Sequence, residues 1–278
     1  MVKQIAGLLV CVTICLGNVH KAHSTGFPQG KDRTMLINGL FYYHANAFWD
    51  INRNLSYYDE EGLYESLSYR VYVEHGISLN LTGILSFPYT GARFENLTFA
   101  EERRSAGDIE AGLAWRFWYP AEDFMLSARA LLIWPAYASS PSPVPGYGYT
   151  GLDFQLIAAG GVTLGRREAF YSISGGFRTY FETDIFQWLY SVNAGTGLIR
   201  NVELLLELSG RWSESSDVSF TPQDVFINTN FDVHKMGIGL LWMIKPDSVG
   251  LIGQLYRDYS GSRVAKGRAA SFSILLFF

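Results

Sequence analysis

The chain has 278 residues, of which 48% are hydrophobic and 15% aromatic, and its formal net charge is −4. The apolar content excludes a disordered chain, and the slight acidity gives no basis for binding nucleic acid, which requires a basic surface. The longest nearly uncharged apolar run, residues 5–16, is about half of the ~20 residues that a membrane-spanning helix needs.

The first 24 residues have the layout of a secretory signal peptide. Lys3 gives a basic start, residues 5–16 form the apolar segment, and Ala22 and Ser24 place small residues at positions −3 and −1 of a cleavage site after Ser24. Both cysteines of the chain lie in this segment. A mature chain of residues 25–278 therefore has no disulfide framework and no cysteine metal site.

Beyond residue 30 the hydrophobic pattern has a period of two. In the stretch 108–117, Ile109 and Leu113 lie on one face, whereas Asp108 and Glu110 lie on the other. A strand separates its side chains in this way, but a helix would mix the two faces. Twelve such segments follow one another, near 33–44, 63–75, 78–88, 106–119, 124–138, 151–165, 169–182, 186–197, 202–213, 230–244, 248–259 and 267–278.

The connections between these segments alternate in length. The short set comprises 75–77, 120–123, 166–168, 198–201 and 245–247, and the longer set 45–62, 89–105, 139–150, 214–229 and 260–266, with 183–185 as its one short member. Strands of about ten residues with short turns on one side and long loops on the other are typical of outer-membrane barrels. We therefore predict an all-β fold. Residues 25–278 should form a single 12-stranded antiparallel transmembrane β-barrel in the bacterial outer membrane, with short periplasmic turns and long extracellular loops.

Aromatic residues near the segment ends support a membrane location, because aromatic girdles lie at both lipid–water interfaces. The predicted girdle residues are Phe87, Tyr89, Trp115 to Tyr119, Trp134, Tyr137, Trp188, Tyr190, Trp212, Trp242, Tyr256 and Tyr259. The chain also ends on an alternating segment whose last residue is Phe278. This end resembles the terminal strand that the outer-membrane assembly machinery recognises, which makes that machinery an expected partner.

The polar face of each segment should point into the barrel, because a charge facing lipid near the midplane costs about 2–4 kcal/mol. Such charges either line a solute path or pair across strands and fill the interior. Arg116 and Arg129, on segments joined by the turn 120–123, are expected to form one basic patch. The first segment is apolar on both faces, so its inward side stays unassigned. The candidate interior residues are Arg70, Glu74, Asp108, Glu110, Arg116, Arg129, Arg178, Glu203, Glu207, Arg211 and Lys235.

Two of the long connections are rich in aromatic residues. These candidate mouth aromatics are Trp49, Tyr57 and Tyr58 in 45–62, and Tyr147 and Tyr149 in 139–150. An aromatic mouth suits an apolar or carbohydrate solute. The alternative is that the tyrosines face lipopolysaccharide, which together with outer-membrane lipids is an expected partner.

Three stretches carry a family resemblance: Gly26-Phe27-Pro28-Gln29-Gly30, Tyr72 to Ile77, and Gly107-Asp108 through Gly112-Leu113 to Arg116. Together they resemble the outer-membrane family labelled as meta-pathway phenol-degradation proteins, itself distantly similar to FadL-type transporters of hydrophobic compounds. The resemblance implies uptake of small or hydrophobic solutes. FadL-type proteins have more strands and a longer plugging N-terminal segment, whereas only residues 25–32 precede the first strand here.

A barrel enzyme is the other class to weigh, because outer-membrane phospholipase also has twelve strands. Its His-x-Ser-Asn-Gly stretch is absent, and none of His44, His75 and His234 begins such a motif. A hydrolase based on His44 and Ser56 around one loop is the remaining enzymatic alternative. We predict no enzymatic activity, no cofactor and no metal.

The leading hypothesis is an outer-membrane channel or transporter that passes small or hydrophobic solutes through a polar, charged interior. The rival is a non-transporting structural barrel, or one associated with polysaccharide export.

Overall fold

The computed structural model describes residues 29–121, 123–138, 143–165, 167–222 and 228–278, so the predicted signal peptide lies outside the described residues. The strands are β1 Thr34–Trp49, β2 Leu55–Tyr57, β3 Leu63–Gly76, β4 Leu81–Glu95, β5 Ala100–Ala106, β6 Asp108–Ala121, β7 Phe124–Pro135, β8 Gly151–Leu164, β9 Arg167–Tyr180, β10 Phe186–Ile199, β11 Val202–Glu214, β12 Phe231–Lys245, β13 Val249–Ser262 and β14 Val264–Phe277. One 3-10 turn, Asp59–Glu61, lies between β2 and β3. Among the described residues, no helix has the length and hydrophobicity needed to cross a membrane.

Twelve strands form a closed antiparallel barrel. Each pairs with its neighbours in chain order, and β1 closes the ring against β14, from Met35 opposite Phe277 to Trp49 opposite Val264. The two remaining strands are additions at one end: β2 pairs with β1, and β5 pairs with the upper part of β4. The predicted 12-stranded antiparallel barrel is therefore confirmed, and closure leaves no sheet edge open to lipid.

Alternation along each strand separates an apolar outer face from a polar inner face. On β6, Leu113 and Trp115 are 46% and 56% exposed on the outside, while Glu110 points inward. The structure also shows which face of β1 points inward, which the sequence left unassigned because both faces are apolar. Met35 is buried inside, whereas Leu40 and Tyr42 lie exposed on the outer face. Exposed leucine and aromatic side chains in a continuous outer band mark a surface that faces lipid.

Outward aromatic residues gather near both ends of this band. Trp188, Tyr190 and Trp212 are outward at the end with the long loops, whereas Trp115 and Trp242 lie toward the opposite end. Two residues expected in the girdles point inward instead. The Tyr137 hydroxyl donates to Asp108 Oδ1, and Tyr256 packs inside against Phe41. Proximity to a segment end does not fix the side on which a ring lies.

The strands extend beyond the predicted segments at the loop end. The expected loop 89–105 is mostly a hairpin of β4 and β5, and the expected loop 260–266 is reduced to Arg263 between β13 and β14. Pro88 has no N–H for the ladder. Gly107 absorbs the break as a bulge, with its N–H donating to the Pro88 carbonyl at 2.9 Å. Strand pairing thus continues beyond the part of each strand in which apolar and polar residues alternate.

Three long loops and three short connections alternate at this end. We call the long ones loop 1 (50–62), loop 3 (136–150) and loop 5 (215–230). All connections at the opposite end are short, and Gly165, Asn201 and Asp247 supply the left-handed backbone conformation at three of these turns. The short turns thus form the end predicted to be periplasmic, and the long loops lie at the end predicted to be extracellular.

Candidate functional site

The barrel interior brings together charged residues from most strands of the ring. One inward arginine, Arg178 on β9, contacts two carboxylates. Its guanidinium lies 2.6 Å from Glu110 Oε1 on β6 and 3.0 Å from Asp153 Oδ2 on β8. The Arg178 and Asp153 side chains are only 13% and 1% exposed. This buried cluster braces the wall across four consecutive strands.

Other interior arginines have no such partners. Arg70 on β3, Arg129 on β7 and Arg211 on β11 form no ion pair with the residues that the structure describes. Arg70 points inward by register, between Ser68 and Tyr72, yet it is exposed. It lies within electrostatic range of both Glu110 and Tyr256, which are on strands either side of β3. An exposed charge that points into a barrel requires water around it.

The interior carboxylates mostly accept hydrogen bonds from neutral donors. Glu74 is 3% exposed and receives the Tyr72 hydroxyl at 2.6 Å and Gln29 Nε2 at 2.9 Å. Ser209 donates to Glu207 at 3.1 Å. Glu203 is half-buried near the periplasmic end, and its Oε2 has no hydrogen-bond partner among the described residues. Glu74 and Glu110 lie within electrostatic range of Arg129, and Glu110 also of Arg70, but no ion pair joins these groups among the described residues.

Lys235 lies higher in the barrel, on the β12 side. Its Nζ is 4.0 Å from Asp258 Oδ1 and lies over the Tyr43 ring at 5.7 Å from the centroid. Asp258 also accepts the Tyr43 hydroxyl at 2.8 Å and the Gly267 N–H at 3.0 Å. This group connects the charged middle of the interior to an aromatic region above it.

Arg116 and Arg129 are diagonal neighbours on adjacent strands, but their side chains have different surroundings. In the β6–β7 register, Arg116 lies opposite Ser127, and Arg129 lies opposite Ala114. The Arg116 guanidinium instead donates to the Leu79 carbonyl and to Asn80 Oδ1 in the neighbouring periplasmic turn. Its charge fastens this turn, whereas Arg129 lies within electrostatic range of Glu74 and Glu110 farther inside.

The five candidate mouth aromatics separate into two groups. Tyr58 is buried inside with a half-buried Tyr147, while Tyr57 and Tyr149 are 69% and 43% exposed. Trp49 is buried at the rim of β1. Burial raises the pKa of Tyr58 above its ordinary value, so this phenol stays neutral. Only some of the predicted aromatics therefore lie where a solute entering the barrel would meet them.

Loops 1 and 5 meet over the extracellular end of the barrel. Phe48, at the top of β1, packs between Tyr58 of loop 1 at 5.3 Å and Phe220 of loop 5 at 5.6 Å between ring centroids. Phe94 continues the same cluster at 5.3 Å from Tyr58. These offset and edge-on ring contacts hold the two loops together above the interior.

Loop 3 also contacts loop 5 above the barrel interior. The Tyr147 hydroxyl donates to the Asn228 carbonyl at 3.1 Å, and its ring meets Tyr180 edge-on at 5.1 Å. On the β9–β10 connection, Asp184 accepts the Ser216 N–H of loop 5 at 2.6 Å. Hydrogen bonds from the side chain and backbone of Ser216 lower the pKa of Asp184. Loop 5 is thus linked to three other segments.

Several interior residues were not among the candidates, although the sequence contained a signal for some of them. Asp153 and Gln155 alternate with apolar residues on β8, so the pattern that identified Glu110 also applied to them. Asp258 shares the inward parity of Gln254 and Tyr256. Gln29 lacks such a signal, because it precedes the first strand and reaches Glu74 across 45 positions.

No histidine of the described residues forms a hydrogen bond with a serine. His44 lies on the outer face with its Nδ1 3.5 Å from Glu65, and His234 is outward beside Tyr190, at 3.0 Å. His75 contacts Thr34 at the periplasmic end, at 2.9 Å. Among the described residues, no group of three or more His, Cys, Asp or Glu side chains is arranged to hold a metal ion.

No protein-family model matches the sequence, and no curated protein matches it. Solved structures do match the fold. An outer membrane channel from Pseudomonas putida F1 is 13% identical, with a TM-score of 0.72 over 93% of this chain and 100% of that one. The translocator domain of the autotransporter NalP from Neisseria meningitidis is 10% identical, with a TM-score of 0.52 over 89% of each chain. The chain thus has the fold of outer-membrane β-barrel proteins.

Proposed function

We propose that this outer-membrane barrel is a passive channel for small or hydrophobic solutes. The observation that supports the proposal best is the exposure of Arg70, which points inward from the middle of β3. A barrel filled by its own side chains would bury this guanidinium or pair it. A hydrated interior leaves it in contact with water, and the same water provides a route for solutes.

The distribution of charge agrees with a route of this kind. Arg129 and Arg211 project from other sides of the ring, with no ion-pair partner in the described ranges. Together with Arg70 they place three cations without ion pairs in the central interior, within electrostatic range of Glu74, Asp108 and Glu110. Fixed charges that border a pore attract ions of opposite sign and set its selectivity. We expect the channel to favour anions modestly over cations.

The aromatic cluster of loops 1 and 5 gives the entrance an apolar character. A solute entering from outside would pass Phe48 and Phe220 before it meets the arginines. Aromatic walls with a few polar groups suit small apolar or aromatic solutes that bear a negative charge. The outer membrane channel of Pseudomonas putida shares the fold, which is compatible with this function.

Conductance in planar lipid bilayers tests the proposal. Purified wild-type protein should give discrete conductance steps. Phe220→Ser removes the ring contact of 5.6 Å with Phe48 and should raise the conductance or the open fraction at least twofold. Val218→Ser is the matched control, because Val218 lies on the same loop and is 61% exposed.

Two results would decide for the rival, a non-transporting structural or export-associated barrel. They are silence of the wild-type protein and silence of the Phe220→Ser variant, each with correctly folded protein. Folding is checked by heat-modifiable electrophoretic migration. Equal conductance in all three proteins would support a channel but would show that the contact between Phe48 and Phe220 does not limit its conductance.

We also propose that the barrel has no enzymatic activity. His44, the histidine of the hydrolase alternative, faces outward and contacts Glu65, while Ser56 pairs in β2 with Phe48. A nucleophile needs a base within hydrogen-bond reach. Esterase assays on wild-type protein and on Ser56→Ala should give the same background rate, and a selective loss in the variant would contradict the proposal.

A further inference from the structure

The outer face of the barrel carries unpaired cations at one position, where β13, β14 and β1 meet. Arg257 on β13 lies directly opposite Arg268 on β14, and Arg268 lies opposite His44 on β1. Both arginines are exposed on the outer face, and Lys266 is two residues away on the same side of β14. Like charges directly opposite each other in a sheet are destabilising, so this arrangement calls for an anion between them.

The neighbouring outward charges are neutralised within the protein. On β4, Arg93 pairs with Glu95, and on β3, Glu65 accepts the Tyr42 hydroxyl and contacts His44. No carboxylate of the described residues pairs with Arg257, Lys266 or Arg268. Asp258, the nearest acid in sequence, points to the interior and is bound there by Tyr43. Unlike these neighbouring charges, Arg257, Lys266 and Arg268 have no carboxylate partner on this part of the outer face.

A cavity of about 400 Å³ lies at the same place. Side chains of both polar and aromatic character line it, among them Asn46, Tyr57, Arg257, Lys266 and Arg268. Guanidinium groups bind phosphate oxygens in paired hydrogen bonds, while amide and phenol groups suit hydroxyl-rich headgroups. The site therefore has the groups needed to hold a phosphorylated polar head.

The height of the site fits a lipid headgroup. Below the cations, the outward residues of β13 and β14 are apolar, with Leu255 63% and Phe272 51% exposed. Leu276 to Arg268 spans about 27 Å at ~3.4 Å per residue, and a strand tilt near 40° reduces this to about 20 Å of height. This is close to the ~25 Å of an outward apolar band. The cations thus lie at the extracellular interface.

We propose that this basic pocket binds the phosphate group of a lipid in the outer leaflet, a phosphorylated glycolipid such as lipid A. The apolar strip below the pocket contacts the acyl chains, and Arg257, Lys266 and Arg268 contact the phosphate. Free phosphate would use only the upper half of this surface, and an acidic protein partner would leave the apolar strip in lipid. The inference does not depend on channel activity.

Binding in nanodiscs of zwitterionic phospholipid tests the assignment. Wild-type protein is titrated with bisphosphorylated lipid A and, separately, with lipid A whose phosphates have been removed. Arg257→Gln with Arg268→Gln should weaken binding of the phosphorylated form at least tenfold, and Lys266→Gln alone should weaken it severalfold. Dephosphorylated lipid A should bind wild-type protein as weakly as the phosphorylated form binds the double variant.

The matched control is Arg167→Gln with Arg200→Gln, which removes the same charge from exposed positions at the periplasmic end. It should bind lipid A within twofold of wild type. Heat-modifiable migration verifies that each variant is folded. The proposal is overturned by equal binding in the Arg257/Arg268 variant, by equal binding of dephosphorylated lipid A, or by displacement of lipid A with millimolar inorganic phosphate.

Discussion

Arg178 and Arg70 point into the same barrel but have opposite surroundings. Arg178 is enclosed by Glu110 and Asp153 at 2.6 and 3.0 Å, whereas Arg70 is exposed and forms no ion pair among the described residues. A paired, buried arginine stabilises the wall. An exposed, unpaired one acts on whatever occupies the interior. Inward charge therefore has two separate roles, and contacts rather than parity distinguish them.

The largest expected effect is on the stability of the barrel wall around Arg178. Arg178→Met leaves the carboxylates of Glu110 and Asp153 without their cation in a poorly hydrated place. Removing one partner of a buried pair typically costs about 3–5 kcal/mol. The free energy of unfolding, measured by urea titration in detergent, should fall by this amount.

The control for this variant removes all three charges together. Arg178→Met combined with Glu110→Gln and Asp153→Asn should recover more than half of the loss, because neutral groups need no counter-charge. A single variant as stable as wild type would contradict a bracing role for Arg178.

A smaller effect is expected at Arg116, which shares inward parity with Arg70 but binds the periplasmic turn. Arg116→Ala removes hydrogen bonds to the Leu79 carbonyl and Asn80 and should cost about 1 kcal/mol. Ion selectivity should not change, since this charge lies away from the central interior. Arg200→Ala, an exposed arginine in another periplasmic turn, should change stability by less than about 0.5 kcal/mol. A change of ion selectivity in Arg116→Ala would contradict this prediction and show that Arg116 borders the solute path.

The alternation of the sequence was sufficient to predict the ring, because each strand must present one face to lipid and the other to the interior. It predicted twelve strands and the inward side of Glu110 and Arg178. It could not predict contacts that depend on the neighbouring hairpin. Arg116 finds Asn80 only because the β3–β4 turn lies beside the end of β6.

The positions of the strand ends could not be predicted from the local sequence pattern either. Above the membrane, outward positions such as Arg93 and Glu95 no longer contact lipid, so alternation stops while pairing continues. The inward packing of loops 1 and 5 depends on ring contacts between residues more than 150 positions apart, such as Phe48 and Phe220. No short window of sequence contains such a contact.

The smallest expected effect concerns the contact between Asp184 and Ser216 of loop 5. The pKa of Asp184 is lowered by Ser216, so the contact contributes above the ordinary aspartate pKa of about 3.9 and is lost as the pH falls through the lower, folded value. Amide exchange at Ser216 should stay protected between pH 5 and 7 and become fast, beyond its intrinsic pH dependence, well below about pH 4. Asp184→Asn should abolish that transition, and an identical profile in the variant would exclude the contact as its cause.

The reversal potential of Arg70→Gln in a salt gradient across a planar bilayer tests the central claim most directly, with Arg116→Gln as the control. If the interior beside Arg70 is the hydrated path, removing its charge shifts the reversal potential toward cation selectivity, and the control matches wild type. A variant with intact conductance and an unchanged reversal potential would contradict the claim that Arg70 borders the path.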